Sequence, residues 1–481
     1  MHVSILQISD LHRDAGNPIR NGPLLESLQN DHHRYATGRD SVIRSPDLIV
    51  VSGDIIQGVP PGTANPVAAL RAQYGEAHEF LRSLAGALVG GDPSRVVIVP
   101  GNHDVSACHV MESARLVPIA PGRKREIVTQ LFSPNSRLRW SWSDFELYEI
   151  FDEDRYAERL ACFADFYRKF YDGARSFSLE PSQQYDVFDF PEFNLVIVGF
   201  SSCFNNDILN KQGAIHPVSV ANAGVALRQP ARADRIRVAV WHHNTEGLPM
   251  QSDYMDPDML QHLIDGGFSL GFHGHQHRPQ FLDTRFKYGA ARRITVISAG
   301  TLCGSASFRF ARAYNIVELD TDAGTGRLHL REMQNDTLEF PIWARRPLPP
   351  ESGDYLEFNF DPPPAPIMRV SDATSALLKA QRLFDAGNYR GAADSLRALA
   401  ARDELARRLL VESLHELNDR EGLIGLVDPP QSATEAIFLM DALWLEGRRD
   451  RLRSLLGEMD SGTLDPSVGE LRNKYLARLK V

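Results

Sequence analysis

Long apolar runs are missing from this chain. No stretch of 18 apolar residues occurs anywhere in it, so nothing reads as a membrane-spanning helix. Met1 leads straight into the apolar run Val3–Ile8, with neither a basic leader nor a small-residue cleavage site, and the expectation is a cytoplasmic protein without membrane contact. Cysteine is scarce: the four residues, Cys108, Cys162, Cys203 and Cys303, show no CxxC spacing. That speaks against a thiolate metal site or a disulfide framework and predicts reduced core residues. A basic excess is also missing. The formal net charge is -10, so no global field draws polyanions. Nucleic acid gains no support from charge, although a bound metal pair would add positive charge that a residue count does not see.

What is present is ordinary for a folded chain, with 43% hydrophobic and 24% charged residues. At 481 residues it is too long for one compact core, which implies two or three units. Short runs rich in Val and Ile, at Val3–Ile8, Leu48–Ser52, Val96–Val99, Leu195–Phe200, Arg237–Trp241, Leu270–Phe272, Ile294–Ser298 and Ile316–Leu319, read as buried strands. Helical patterns such as Glu76–Leu88 lie between several of them, so residues 1–345 read as a layered α/β domain. From 106 to about 190 the strand rhythm breaks into an aromatic, charged segment at roughly helical spacing, predicted as a helical insertion that serves as core or as a lid. Residues 346–370 are Pro-rich and read as a linker. Residues 371–481 are dense in Ala, Leu, Arg and Glu. In them Ala380, Leu383, Gly387, Tyr389, Ala392, Leu396 and Ala400 are spaced as in a tetratricopeptide unit, predicting an array of helical hairpins. The array would dock a protein partner or mediate self-association, or else be a bundle that stabilises its neighbour.

The polar motifs sit directly after predicted strands, at the ends where open α/β sheets build their sites. Asp10 and His12 form a DxH pair whose spacing puts both side chains on one side of an extended chain. Asp54 follows Gly53, and a carboxylate has two oxygens with which to bridge two cations. Asn102, His103 and Asp104 follow the third strand; His242 and His243 end another; His275 and His277 form an HxH pair. Carboxylate, amide and imidazole together suit manganese, iron or zinc.

The order DxH, GD, GNHD, HH, GHxH resembles the calcineurin-like metallophosphoesterase superfamily, over roughly residues 1–335. The resemblance implies a two-sheet sandwich flanked by helices, with two divalent metal ions, manganese first among the candidates. It implies that Asp10, His12 and His277 hold one metal, that Asn102, His242 and His275 hold the other, and that Asp54 bridges them. A bridging water would attack phosphorus, and His103 would protonate the leaving oxygen. Asp104 would orient His103 or cap the following turn; His243 would stand near the substrate or orient its neighbour.

The protein serine/threonine phosphatases of that family carry GDxVDRG and GNHE. Here Ile55, Ile56, Gln57 and Gly58 follow Asp54, and Asp104 closes the second motif, so the sequence lies closer to the phosphodiesterase branch. The expected substrate is a nucleotide or nucleic-acid phosphodiester, with Arg13, Arg309 and Arg312 as phosphate contacts. A nuclease within a larger complex and a non-catalytic scaffold are the rival readings.

Overall fold

The computed structural model describes residues 1–38, 43–119, 122, 124–131, 136–247, 253–256, 258–285, 293–306, 309–335, 337–348, 353–361, 370–401, 403–459 and 465–479. In chain order the strands are β1 (His2–Ile8), β2 (Leu48–Ser52), β3 (Val96–Val99), β4 (Ala114–Leu116), β5 (Leu138–Ser141) and β6 (Glu146–Ile150). Next come β7 (Tyr185–Phe190), β8 (Leu195–Phe200), β9 (Ile236–Val240), β10 (Leu270–His273) and β11 (Gln280–Arg285). The last are β12 (Arg293–Ser298), β13 (Ala313–Asp320), β14 (Thr325–Met333), β15 (Trp343–Arg345) and β16 (Leu356–Asn359).

Two large mixed sheets share one apolar core. The first runs β15-β14-β13-β1-β2-β3, with β16 also on β14, and the second runs β11-β12-β10-β9-β8-β7. In the first, β1, β2 and β3 are parallel; in the second, β8, β9, β10 and β12 are. Parallel strands buried on both faces read as continuous apolar runs. Their shared direction matters more here, because it collects the carboxyl ends of β1, β2, β3, β9 and β10, the strands that the polar motifs follow.

A buried amide pair joins the sheets. Gln7 Nε2 of β1 donates to the carbonyls of His273 and Ile297, both at 3.1 Å. Asn315 Nδ2 of β13 donates to Gln7 Oε1 at 2.9 Å and to the Ser298 carbonyl at 3.0 Å. Such a network, in a low dielectric, pins two layers in one register. A second buried cluster ties the helix Asn21–Ala36 to β14: Arg331 Nε donates to Asp31 Oδ2 at 2.8 Å, and Tyr314 Oη shares that oxygen.

Residues 106–190 differ from the expected helical insertion. The aromatics at helical spacing, Phe163, Phe166, Tyr167 and Phe170, lie buried on the helix Ala161–Phe170, where Phe166 stacks on Tyr74 with ring centroids 5.0 Å apart. Trp140 and Tyr148 instead sit on β5 and β6, which with β4 form a third sheet of order β4-β6-β5. Their side chains alternate across a hairpin, a period of two that the dense aromatic content hides. The insertion is anchored by Tyr156 Oη, which donates to Asp207 Oδ2 at 2.7 Å, beside Arg139. The Pro-rich segment differs too. Its residues Leu356–Asn359 form β16, an edge strand, while 349–350 and 362–366 lie outside the described residues.

Beyond it the helices Val370–Asp385, Tyr389–Leu396, Glu404–Glu416, Arg420–Val427, Ala433–Leu445, Arg449–Glu458 and Pro466–Arg478 form successive hairpins and a last helix around a separate core. They meet the first unit through Arg228 and Asp403, 2.9 Å apart. All four cysteines are buried and unpaired, and no described helix is long and apolar enough to cross a membrane.

Candidate metal centre

Asp10, His12, Asp54, Asn102, His242, His275 and His277 come together in one pit at the carboxyl ends of the parallel strands. The ligand atoms of Asp10, His12 and His277 lie within 4.8 Å of one another, as do those of Asp54, His242 and His275. Asn102 Oδ1 stands 3.1 Å from His242 Nε2 and 2.9 Å from His275 Nδ1. Asp54 faces both groups: Oδ1 is 3.3 Å from His242 Nε2 and Oδ2 is 3.8 Å from His12 Nε2.

The backbone is contorted to achieve this. Asp10, His12, Asp54, His275 and His277 have φ of 54°, 44°, 50°, 77° and 53°, in the left-handed region that side chains avoid. Each such residue costs about 1–3 kcal/mol and persists only where its surroundings hold it. The hold here is main-chain pairing: Asp10 N donates to the Gly53 carbonyl and His12 N to the Asp54 carbonyl, both at 3.1 Å. Gly304 completes the packing, since a Cβ there would overlap His12 and His277.

Backbone carbonyls set the imidazole tautomers. His242 Nδ1–H donates to the Ser52 carbonyl at 2.7 Å, His277 Nδ1–H to that of Ser305 at 2.9 Å, and His275 Nε2–H to that of Asp253 at 2.8 Å. Each ring therefore turns a lone pair inward, the arrangement that metal-ligating histidines use. The inward nitrogens of these three rings are acceptors. His277 Nε2 lies 3.2 Å from His12 Nε2, and His242 and His275 both face the Asn102 carbonyl oxygen. Asp10 Oδ1 and His12 Nδ1 are buried without a hydrogen bond. Acceptors converging on acceptors repel unless a cation or a proton lies between them, so this donor set fits divalent cations.

Protons are the competitors. Burial opposes charge on His242, yet the Asp54 carboxylate outweighs it and raises the imidazole to about 9. Burial likewise opposes charge on His277, but the Asp10 carboxylate raises it to about 9. Burial alone dominates at His12 and His275, which fall to about 4. In the cation-free protein the stabilisation from His242 and His277 is complete below their unfolded value near 6.5 and is lost as pH rises through 9. A coordinating imidazole must be neutral. Metal loading at pH 7 is therefore expected to release protons, and apparent affinity to rise with pH up to about 9. Calorimetry in buffers of different ionisation enthalpy measures the release; no buffer dependence would refute it.

His103 stands at the rim. Its N–H donates to Asp54 Oδ1 at 2.9 Å, its Nδ1–H donates to the Gln57 carbonyl at 2.7 Å, and Nε2 faces Asp54 Oδ2 at 4.0 Å. The side chain is 35% exposed, the most open imidazole of the group. Asp104 is not brought to it. The Asp104 carboxylate accepts from Gly101 N at 2.8 Å, Ile55 N at 3.1 Å and Tyr74 Oη at 3.0 Å, and burial pushes it up to about 7. It ties the loops after β2 and β3 together, and the Gln57 carbonyl does the orienting.

Arg13 is also turned away. It is buried, donating to the Ile19 carbonyl at 2.9 Å and to Cys303 Sγ at 3.4 Å, because its guanidinium fills the space beside Phe80. Arg309 is exposed beside the Phe310 ring, and Arg312 is half-buried. Neighbours that no motif announces are Gly304, Ser202 and the carbonyls of Ser52, Gln57, Asp253 and Ser305. The carbonyls carry no signal in a side-chain alphabet.

The chain matches the Calcineurin-like phosphoesterase family over residues 3–279. No curated protein matches it. Among solved structures, Chaetomium thermophilum Vps29 is similar over 75% of this chain and 98% of its own, at 9% identity and a TM-score of 0.29. A conserved uncharacterized protein and predicted phosphoesterase from Streptococcus pneumoniae is similar over 72% of this chain and 99% of its own, at 8% identity and a TM-score of 0.23.

Proposed function

The chain belongs to the calcineurin-like phosphoesterase family, and from that premise we propose that it is a metal-dependent phosphodiesterase acting on a nucleotide or nucleic-acid phosphodiester. The observation that carries the reading is the double-facing Asp54, whose oxygens address His242 on one side and His12 on the other. Asp10, His12 and His277 would hold one divalent cation, Asn102, His242 and His275 a second, with Asp54 between them. Manganese is the first choice, then iron or zinc. When bound, such a pair lowers the pKa of water and neutralises charge on phosphoryl oxygens.

The chain's own groups do the rest. Asp54 draws in the His103 N–H and so seats the imidazole over the pit. The Gln57 carbonyl occupies Nδ1–H, leaving Nε2 as the nitrogen that gains and loses a proton. Protonated there, His103 donates to the leaving oxygen of the ester. The motifs that mark protein phosphatases in this superfamily are absent, which supports a diester of small or polymeric nucleotide. The helical hairpins of residues 371–481 would dock a partner or a second copy, outside the catalytic unit of residues 1–345.

The test compares bis(p-nitrophenyl) phosphate with p-nitrophenyl phosphate, with manganese and after chelation. Manganese-dependent cleavage that favours the diester is expected. No turnover of either ester by metal-loaded protein would count for a scaffold, and preference for the monoester would remove the diesterase reading.

A further inference from the structure

Three polar contacts meet at one buried hydroxyl. Ser202 lies two residues past β8 and is fully buried. Its Oγ accepts the main-chain N–H of His242 and that of His243, each at 3.1 Å, and stands 2.8 Å from His243 Nδ1. A hydroxyl offers one proton and two lone pairs. Both lone pairs are engaged by main-chain donors, so its proton goes to the His243 Nδ1 lone pair. A neutral imidazole that accepts at Nδ1 carries its hydrogen on Nε2.

The consequence separates two adjacent residues of the same type. His242 gives its Nδ1–H to the Ser52 carbonyl and keeps a bare Nε2 turned toward Asp54 and Asn102. His243 has no bare nitrogen left: Nδ1 holds the Ser202 proton, and Nε2 carries hydrogen, buried and without an acceptor among the described residues. Its ring is only 4.8 Å from the His275 ring, close enough to compete for a cation if its tautomer allowed. A Cβ at Gly213 would overlap the ring, so the wall behind His243 gives it no room to swing away.

We propose that Ser202 is the positioning residue that decides which of the paired histidines is open to a cation: it leaves His242 available and locks His243 out by fixing its tautomer. The proposal rests on the metal-site reading above, and it adds the residue that keeps the ligand set unique. Sequence sets two identical side chains next to each other at His242 and His243; one hydroxyl makes them different.

The experiment is nitrogen-15 spectroscopy of histidine-labelled, zinc-loaded protein, combined with zinc competition against a chelating dye. In the unaltered chain His243 is expected to show a bare Nδ1 and a protonated Nε2, neither shifted by metal. In Ser202→Ala that pattern is expected to be lost, and zinc at the His242 group to be held about 10–100-fold more weakly, the usual effect of removing a group that orients a metal ligand. Ser202→Thr, which keeps the hydroxyl, should restore both. Hydrogen on Nδ1 of His243, or a metal-bound His243 in the unaltered chain, would overturn the proposal. So would a Ser202→Ala protein with a lower melting temperature but an unchanged tautomer and zinc affinity, since that is all a merely structural serine would do. If Ser202→Ala does not fold, the spectrum of the unaltered chain still decides. A zinc-loaded protein that cleaves no ester would defeat the phosphodiesterase reading and leave both measurements standing.

Discussion

Asp54→Asn is expected to abolish metal-dependent diester hydrolysis, by at least about 10³-fold in kcat/KM, while leaving the fold intact. The carboxylate addresses both halves of the pit, His242 from Oδ1 and His12 from Oδ2. Asparagine keeps the shape and an amide oxygen but removes the charge that two cations would share. A metal pair supplies several kcal/mol of transition-state charge stabilisation. Losing about 4 kcal/mol of it corresponds to about 10³ in rate, at about 1.36 kcal/mol per decade. Asparagine is also the right substitution for the backbone. Asp54 sits at φ 50°, a conformation that Asn tolerates and Ala does not, so Asp54→Ala confounds strain with charge. The charge has a second use. It holds the His242 imidazole at about 9, and without it burial should make that ring neutral at pH 7. Proton release on metal loading should therefore fall in the same variant. Rates within tenfold of the unaltered chain would remove Asp54 from the centre of the site.

Much of this arrangement could be read before the structure, for a geometric reason. Side chains placed just past consecutive parallel strands must end up together, and short runs of Val and Ile mark such strands. The motifs after β1, β2, β3, β9 and β10 were therefore readable as one site, and the α/β class followed from the same runs. What escaped has physical causes as well. Asp104 and Arg13 stand beside motif residues and look equivalent to them, but an extended chain alternates its side chains and a turn redirects them. Asp104 faces Tyr74 and Arg13 faces Phe80. The left-handed conformations at Asp10, His12, Asp54, His275 and His277 leave no mark in composition: Asp10, His12 and Asp54 pair with distant backbone, and the His275 N–H goes to the Asp10 carboxylate. The strands inside residues 106–190 were masked by aromatic residues that occur at both helical and alternating positions. Ser202 was invisible for a different reason, since a lone serine after a strand becomes informative only once its three contacts are known.

His103→Ala is the sharper test of mechanism, because it should spare what Asp54→Asn destroys. The imidazole stands outside the groups made by Asp10, His12 and His277 and by Asp54, His242 and His275, although its Nε2 shares a third possible cation group with His12 and Asp54. It sits at the rim with Nδ1–H committed to the Gln57 carbonyl and Nε2 turned to the pit. Its removal should therefore leave metal content unchanged and lower kcat by about 10²–10⁴, the range of a positioned general acid. The size of the loss should depend on the leaving group. p-Nitrophenolate departs with little help, so the aryl diester should sit at the low end. An alkyl or nucleoside leaving oxygen needs the proton and should sit at the high end. The alkaline limb of the pH–rate profile should also change, because the group that must be protonated is gone. Metal analysis and rates on the two ester classes check this together. An equal loss on both esters would mean that His103 seats the substrate but does not protonate it. A loss of metal would mean that the His103 imidazole, which shares a possible cation group with His12 and Asp54, itself helps to hold the ion.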